Sequence, residues 1–331
     1  MSEAAGAEVP RGPATANSMS PRRDPVAPQI GVVGLGRMGT AFAKNLLADG
    51  YSVTAFDLSE DKRQLLGAIG AHPVPTLSGL ASCAVVISSL PNDSALKAVA
   101  LGDHGLVAIL PQSAVHISMS TISPALSREV AEHHAHHGQG YVSAPVLGNP
   151  DLAQARKLFI IAAGDGPSVV QVHPLLDRLG QHVFLMGDDP GAANLMKLGG
   201  NVLTALTLQG MGEVLALMRK GGIDGRKAFD VLTNSLFDAK VHKTYGGKIV
   251  DRRYSPAGMR APLAVKDLRL ALGEAEHRSV PMPATSLVHD RLVAMMARGW
   301  SDLDWSALGL LAAVDSGLEE GPPPNDDEAG Q

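Results

Sequence analysis

Apolar and polar positions along the 331-residue chain follow two different periods. From about residue 29 to 188, short runs dense in Val, Ile and Leu alternate with stretches whose apolar positions recur every three or four residues. The short runs have no polar face, which marks strands buried on both sides in a parallel sheet. The pattern predicts strands at Ile30–Val33, Tyr51–Asp57, Ala84–Leu90, Val115–Ser118, Tyr141–Val146, Lys157–Ala162 and His182–Met186, with a weaker one at Gly70–Val74. Helices are expected up to Leu47, over Ser59–Gly67, from Pro124 behind a Ser123 cap, and over Pro167–Leu179. At Leu90-Pro91-Asn92-Asp93 the proline starts a turn and Asn92 or Asp93 can cap the next helix. The alternation stops near Gly187-Asp188-Asp189-Pro190-Gly191. Beyond it the period is helical throughout. Ala192–Arg219 reads as a helix far longer than average and ends at Gly221-Gly222, and shorter helices follow at Gly225–Leu236, Pro262–Glu276, Pro283–Arg298 and Trp305–Val314.

One stretch organises the first half. In QIGVVGLGRMGTAFAKNLL, Gln29–Leu47, an apolar strand leads into Gly34, Gly36 and Gly39 and then an amphipathic helix. The first glycine allows a tight turn, the second lets backbone approach a pyrophosphate, and the third lets helix pack on strand. The helix N-terminus then offers N–H donors and a positive dipole to phosphate, which makes Leu35, Arg37 and Met38 cofactor contacts as well. Asp57, at the end of the next strand, stands where a carboxylate accepts bonds from the ribose hydroxyls and repels a 2′-phosphate. That favours NAD over NADP, although Lys62 and Arg63 follow within reach of a phosphate. The expected architecture is an α/β Rossmann-type dinucleotide-binding domain over 29–190 and an all-α domain over 191–315, joined by the long helix.

On that long helix Asn194, Lys197 and Asn201 share one face. Lys197 emerges among Leu195, Met196 and Leu198, and partial burial lowers a lysine pKa towards the range useful for proton transfer. Asn201 can orient a substrate hydroxyl or carboxylate. Gly199-Gly200 costs the helix roughly 1 kcal/mol per residue against alanine, which calls for close approach of a ligand or another backbone. The alternative is a lysine that snorkels from a domain-interface helix.

Composition narrows the class without changing this picture. Net charge is −5 and no basic run occurs, which argues against nucleic acid as a partner. The single cysteine, Cys83, excludes an intrachain disulfide and reads as an inert thiol beside a buried strand. No apolar stretch is expected to cross a bilayer, and no export signal follows Arg22-Arg23, so a cytoplasmic location is expected. Residues 1–28 read as a disordered leader and 316–331 as a disordered acidic tail. The run His133-His134-Ala135-His136-His137, with Glu129 one turn earlier, invites a metal, but it reads better as a solvated helix end suited to the dipole. No metal is expected.

The motifs together resemble the β-hydroxyacid dehydrogenase family, which includes 3-hydroxyisobutyrate dehydrogenase and tartronate semialdehyde reductase. The resemblance spans about residues 29–314 in motif order. GVVGLGRMGTAFAKNL is similar to the family's cofactor signature, and Ser143-Ala144-Pro145-Val146-Leu147-Gly148-Asn149 stands where the family carries D-A-P-V-S-G-G. Gly191–Asn201 resembles the catalytic helix and Val265-Lys266-Asp267-Leu268 the K-D-L motif, whose lysine reaches the cofactor. Leu90-Pro91 and Ser120-Thr121 match positions near the cofactor. The resemblance implies hydride transfer between a nicotinamide and a 3-hydroxy acid or semialdehyde, with Lys197 and Asn201 catalytic. It implies cofactor contacts from Leu90, Pro91, Thr121 and Lys266, and substrate contacts from Ser120, Val146, Leu147, Gly148, Asn149 and Asn194. A homodimer or homotetramer through the helical domain is implied too. The departures fall in the substrate loop. Leu147 cannot donate where the family has serine, and Asn149 replaces the second glycine, so the grip on a carboxylate is altered. Imine reductases, which commonly carry aspartate or tyrosine at the lysine position, and non-catalytic scaffolds are the alternatives. Decarboxylating 6-phosphogluconate dehydrogenase is longer and has histidine where Gly200 stands.

Overall fold

A computed structural model describes residues 29–323. The expected leader, 1–28, and residues 324–331 of the expected tail lie outside the described residues. The chain opens with β1 (Ile30–Val33), α1 (Arg37–Ala48), β2 (Val53–Phe56), α2 (Glu60–Gly67), β3 (His72–Pro73) and β4 (Val85–Ser88). Next come α3 (Asp93–Leu101), α4 (Leu106–Ile109), β5 (Val115–Ser118), α5 (Pro124–His136), β6 (Gly140–Ser143), β7 (Val146–Leu147) and α6 (Pro150–Gln154). The sheet is finished by β8 (Leu158–Gly164), α7 (Gly166–Leu179) and β9 (Gly180–Leu185). Strand order is β3-β2-β1-β4-β5-β6-β8-β7, with β9 paired to β8. The pairs from β3 through β6 are parallel, β8 runs antiparallel to β6, and β9 is parallel to β8. This is the doubly wound arrangement, and its ligand crevice lies at the carboxyl ends of β1 and β4, where the strand order reverses. All residues of β1, β2, β4 and β5 are buried, as the apolar runs require.

The helical half is α8 (Pro190–Lys220), α9 (Gly225–Thr233), α10 (Gly247–Val250), α11 (Ala261–His277), α12 (Pro283–Ala297) and α13 (Leu308–Asp315). Its core gathers Leu208, Leu215, Leu268, Leu292, Trp305 and Leu311 around α8. Arg128 on α5 grips Asp189 with two hydrogen bonds of 2.9 and 2.7 Å, and Asp189 also caps α8 by accepting from Gly191 N–H at 2.9 Å. The guanidinium holds the Asp189 carboxyl below the usual carboxylate range. The start of the long helix is thereby fixed to the sheet half.

Four sequence expectations change. The strand expected over Tyr141–Val146 is two strands, because the chain turns at Ala144-Pro145 and proline has no N–H for a ladder. The expected third strand shrinks to two residues. α8 is long and apolar enough to cross a membrane by length and composition, with a mean hydropathy of 1.2 over its best window, contrary to the expectation from sequence. Half of that window is buried within the fold, as befits a core helix. The tail expected to be disordered from 316 is held at Glu319, which pairs with Arg219 at 2.9 Å and with Arg252.

The histidine run divides as well. His133, His136 and His137 are exposed, but His134 turns inward and is fully buried. Gln139 fixes the direction of a buried chain of bonds, since its NH2 donates to the Val107 and Leu110 carbonyls and its oxygen must then accept from His134 Nδ1 at 2.7 Å. His134 Nε2 accepts from His116 Nδ1 at 2.9 Å, and His116 Nε2 accepts from Ser88 at 2.8 Å. Both rings are neutral. Burial pushes His116 far below its ordinary pKa and His134 down to about 4. Their stabilising contribution is complete above the unfolded value near 6.5 and is lost as pH falls towards 4, at about 3 kcal/mol for His134 alone. Thermal melts should show a clear loss of stability between pH 6.5 and 5, above the range where ordinary carboxylates titrate. A midpoint that stays flat over that interval would sink this account.

Candidate active site

The turn after β1 is shaped to receive a phosphate. Gly34 has φ +86°, and a Cβ there would lie 2.4 Å from the Ser89 carbonyl oxygen. A Cβ on Gly39 would come within 1.9 Å of the Gly34 oxygen, so strand and helix touch backbone to backbone. Gly36 faces open space, with nothing within 4 Å of its Cβ position. Helix α1, like α11 and α12, has no side-chain cap and no acid in its first turn, and it alone of these follows the glycine turn. Its leading N–H groups are left for an anion. Asp57 accepts from Leu35 N–H at 2.7 Å and from Ser59 N–H at 2.9 Å, which aims the carboxylate at the edge of this turn. Lys62 stands 3.6 Å from it, and Arg63 donates to the Asp57 carbonyl at 2.6 Å. These residues fit the pyrophosphate and ribose of a dinucleotide. Arg37 reaches over the turn to the Ala257 carbonyl. Leu35 is buried and meets the site through its backbone, while Met38 is half-buried.

Four side chains from two helices form one network. Lys197 Nζ donates to Asn201 Oδ1 at 2.8 Å, and Asn201 Nδ2 donates to Asp267 Oδ2 at 2.5 Å. Lys266 donates to the Thr121 carbonyl at 2.5 Å, bridging α11 to the end of β5. It also stands 2.8 Å from Asp267 Oδ1, a contact that is ionic without hydrogen-bond alignment. Lys197 is 8 % exposed. Burial pushes its pKa down to about 8; Asp267 opposes the shift and the Lys266 charge adds to it. An amine in that state both takes and gives a proton near neutral pH. Asp267 had no role in the sequence reading, although it lies inside the K-D-L motif. The signal was an acid on the buried side of an amphipathic helix.

The remaining candidates separate. Leu90 N–H donates to Ser120 Oγ at 2.9 Å, tying the loops after β4 and β5, and Pro91 is exposed beside them. Leu147 is half-buried and packs over Gly200, and Gly148 is exposed with φ +144°. Three substrate candidates also make contacts within the fold. Asn194 is fully buried, donates to Ser143 Oγ at 2.7 Å and accepts from Ile122 N–H at 3.4 Å, so it ties α8 to the end of β6. Asn149 spends its oxygen capping α6, accepting from Leu152 N–H at 2.9 Å. Val146 is buried in the β7–β8 pair. Asn201 bonds Lys197 through its oxygen and Asp267 through its amide nitrogen, which fixes where the lysine amine stands.

A dinucleotide turn after β1 and a buried lysine network tied through Lys266 to the Thr121 carbonyl are the features expected of an NAD(P)-dependent oxidoreductase. Residues 29–187 match the family described as the NAD binding domain of 6-phosphogluconate dehydrogenase, and residues 191–311 that described as the NAD-binding of NADP-dependent 3-hydroxyisobutyrate dehydrogenase. An uncharacterized oxidoreductase of Bacillus subtilis is 36% identical over 85% of this chain and 98% of its own. The 3-hydroxyisobutyrate dehydrogenase of Pseudomonas aeruginosa is 32% identical over 85% of this chain and 97% of its own. The structure of Mycobacterium tuberculosis 3-hydroxyisobutyrate dehydrogenase with L-serine superposes with a TM-score of 0.78 at 26% identity, covering 86% of this chain and 98% of that one. The chain belongs to the β-hydroxyacid dehydrogenase family, a family of NAD(P)-dependent enzymes acting on CH–OH groups.

Proposed function

We propose that the protein catalyses reversible hydride transfer between NAD(P) and the carbinol carbon of a 3-hydroxy acid, with Lys197 as general acid and base. The observation that carries this reading is the Lys197 amine, buried, held by Asn201 and poised near pH 8 at the cleft. The nicotinamide supplies or accepts the hydride. In oxidation the neutral amine takes the hydroxyl proton; in reduction the ammonium returns it to the carbonyl oxygen and stabilises the charge developing there. Asn201 and Asp267 hold the amine at one point of the cleft, and Lys266 ties the α11 side of the site to Thr121. The test is a panel of 3-hydroxy acids, semialdehydes and cyclic imines with both cofactors. Turnover of the hydroxy acid–semialdehyde pairs supports the reading; turnover of imines alone replaces it, and no turnover of any of them favours a dinucleotide-binding scaffold.

Asp57 inclines the site to NAD. Replacing it with alanine removes charged acceptors worth about 1.5–3 kcal/mol, so NAD affinity should fall roughly 10- to 100-fold while NADP affinity holds or rises. Fluorescence titration with both reduced cofactors measures this, and a larger loss for NADPH would overturn the preference. We propose a cytoplasmic location and a homodimer or homotetramer through the helical domain. Supporting the assembly, α8 presents exposed Met196, Leu203, Val214 and Leu217, with exposed Gly199 and Gly210 on the same stripe. Sedimentation should give at least twice the chain mass; a monomer counts against it.

A further inference from the structure

The far end of α8 borders a cavity of about 390 Å³ that α9, α10 and α13 close off. Its volume falls in the range of small-ligand sites. Arg219, at its edge, and Lys197 are about six turns apart on α8, roughly 33 Å at the helical rise, so the cavity lies away from the active site. The floor is apolar. Leu215, Ile249, Leu310 and Ala313 line it, and α8 meets α13 there so closely that a Cβ on Gly212 would stand 2.6 Å from Gly309 Cα. The mouth is basic, with Arg219, Arg226 and Arg252. Arg226 pairs with Asp251, and Asp224 caps α9 by accepting from Lys227 N–H at 2.9 Å. Arg219 and Arg252 share one carboxylate, that of Glu319, and among the described residues neither has another acid within 4 Å. The Glu319 side chain is 7 % exposed, against 36 % and 42 % for the two arginines, so the carboxylate lies inside and the guanidiniums stand at the rim. Arg252 holds φ +55°, a conformation uncommon outside glycine, and also donates to the Gly321 carbonyl at 3.2 Å.

The geometry points to a second binding site, separate from the lysine network, for a carboxylate with a short apolar body. Glu319, from the chain's own tail, fills the anion position of that site and gives way when the ligand enters. The inference stands independently of the dehydrogenase reading. Arginine presents its N–H groups as a planar fork that matches a carboxylate, and two such forks converge here on one acid. That acid arrives from beyond α13, the last helix, on backbone that Arg252 holds at the Gly321 carbonyl. A tethered carboxylate competes at an effective concentration on the order of millimolar. A free acid therefore displaces it only by adding a contact the glutamate lacks. The apolar floor supplies that contact, because each methylene laid on it leaves water. An inorganic anion meets the same guanidiniums and leaves the floor uncovered.

The test is calorimetric titration of the full-length protein with hexanoate, acetate and inorganic phosphate. Hexanoate should bind most tightly of the three. Glu319→Gln should raise its affinity roughly tenfold or more by removing the tethered competitor. In that background Arg219→Gln should lower the affinity by roughly tenfold or more, and so should Arg252→Gly, a change that suits the left-handed backbone. Glu320→Gln, at the exposed neighbour, should change nothing, and Lys197→Ala should leave hexanoate binding as it was. Should Glu319→Gln not fold, Arg219→Lys in the wild-type chain carries the same test, since an ammonium lacks the fork and hexanoate should bind more weakly. Equal affinity in wild type and Glu319→Gln overturns the displacement. Binding that ignores both arginines, or that falls with Lys197→Ala, overturns the site. Phosphate or acetate binding as tightly as hexanoate overturns the apolar body, and no hexanoate binding to folded Glu319→Gln overturns the whole inference.

Discussion

Lys197→Ala should lower kcat/KM for oxidation by about 100- to 10,000-fold while leaving cofactor affinity within a few-fold of wild type. The amine is the proton carrier, and its partners Asn201 and Asp267 cannot replace it, one being an amide and the other already bonded to that amide. The cofactor turn is built by other residues, so reduced-nicotinamide fluorescence should titrate normally. Loss of turnover and binding together would make the lysine structural. The wild-type pH profile gives a second readout. Oxidation needs the neutral amine, so kcat/KM should rise with pH through about 8; reduction needs the ammonium and should fall through the same region. Asp267 raises the Lys197 pKa, so Asp267→Asn should move that limb to lower pH. A limb that stays in place would separate Asp267 from the lysine's ionisation.

Gly39→Ala should be the most damaging change in the sheet half. The added carbon would lie 1.9 Å from the Gly34 carbonyl oxygen, a backbone atom that cannot rotate away. The βα turn must open, and with it the phosphate seat. The expected cost is about 3–5 kcal/mol of stability, with cofactor affinity reduced roughly 100-fold or more in whatever protein still folds. Gly36→Ala is the control, because its Cβ meets nothing within 4 Å. That variant should melt like wild type and yet bind cofactor more weakly, since its methyl enters the space of the pyrophosphate. A Gly39→Ala protein with wild-type melting and affinity would refute the close-packed turn.

What the sequence revealed follows from how local each signal is. The turn glycines and Asp57 lie within one βαβ unit, and Lys197 and Asn201 within one turn of one helix, so spacing alone puts them together. Asp267 escaped because it joins Asn201 from another helix, 66 residues along the chain. His134 was read with its solvated neighbours, but its partner His116 sits in an apolar strand, and sequence spacing carries no trace of a side chain turned inward to meet it. Asn194 and Asn149 carry contacts within the fold that spacing does not foretell. Their amides serve Ser143 and the start of α6, a use that depends on which backbone groups lack partners. The strand expected through Pro145 failed for the same kind of reason, since a missing N–H outweighed an apolar run.

Lys197 and Asn201 stand on α8 and Lys266 and Asp267 on α11, while Leu147 ends a two-residue strand and shares no hydrogen bond with the four. Position 147 is therefore open to exchange. A library that varies it, together with residue 200, leaves the acid–base apparatus intact, and the fold can change the chemistry of that loop in one or two mutational steps.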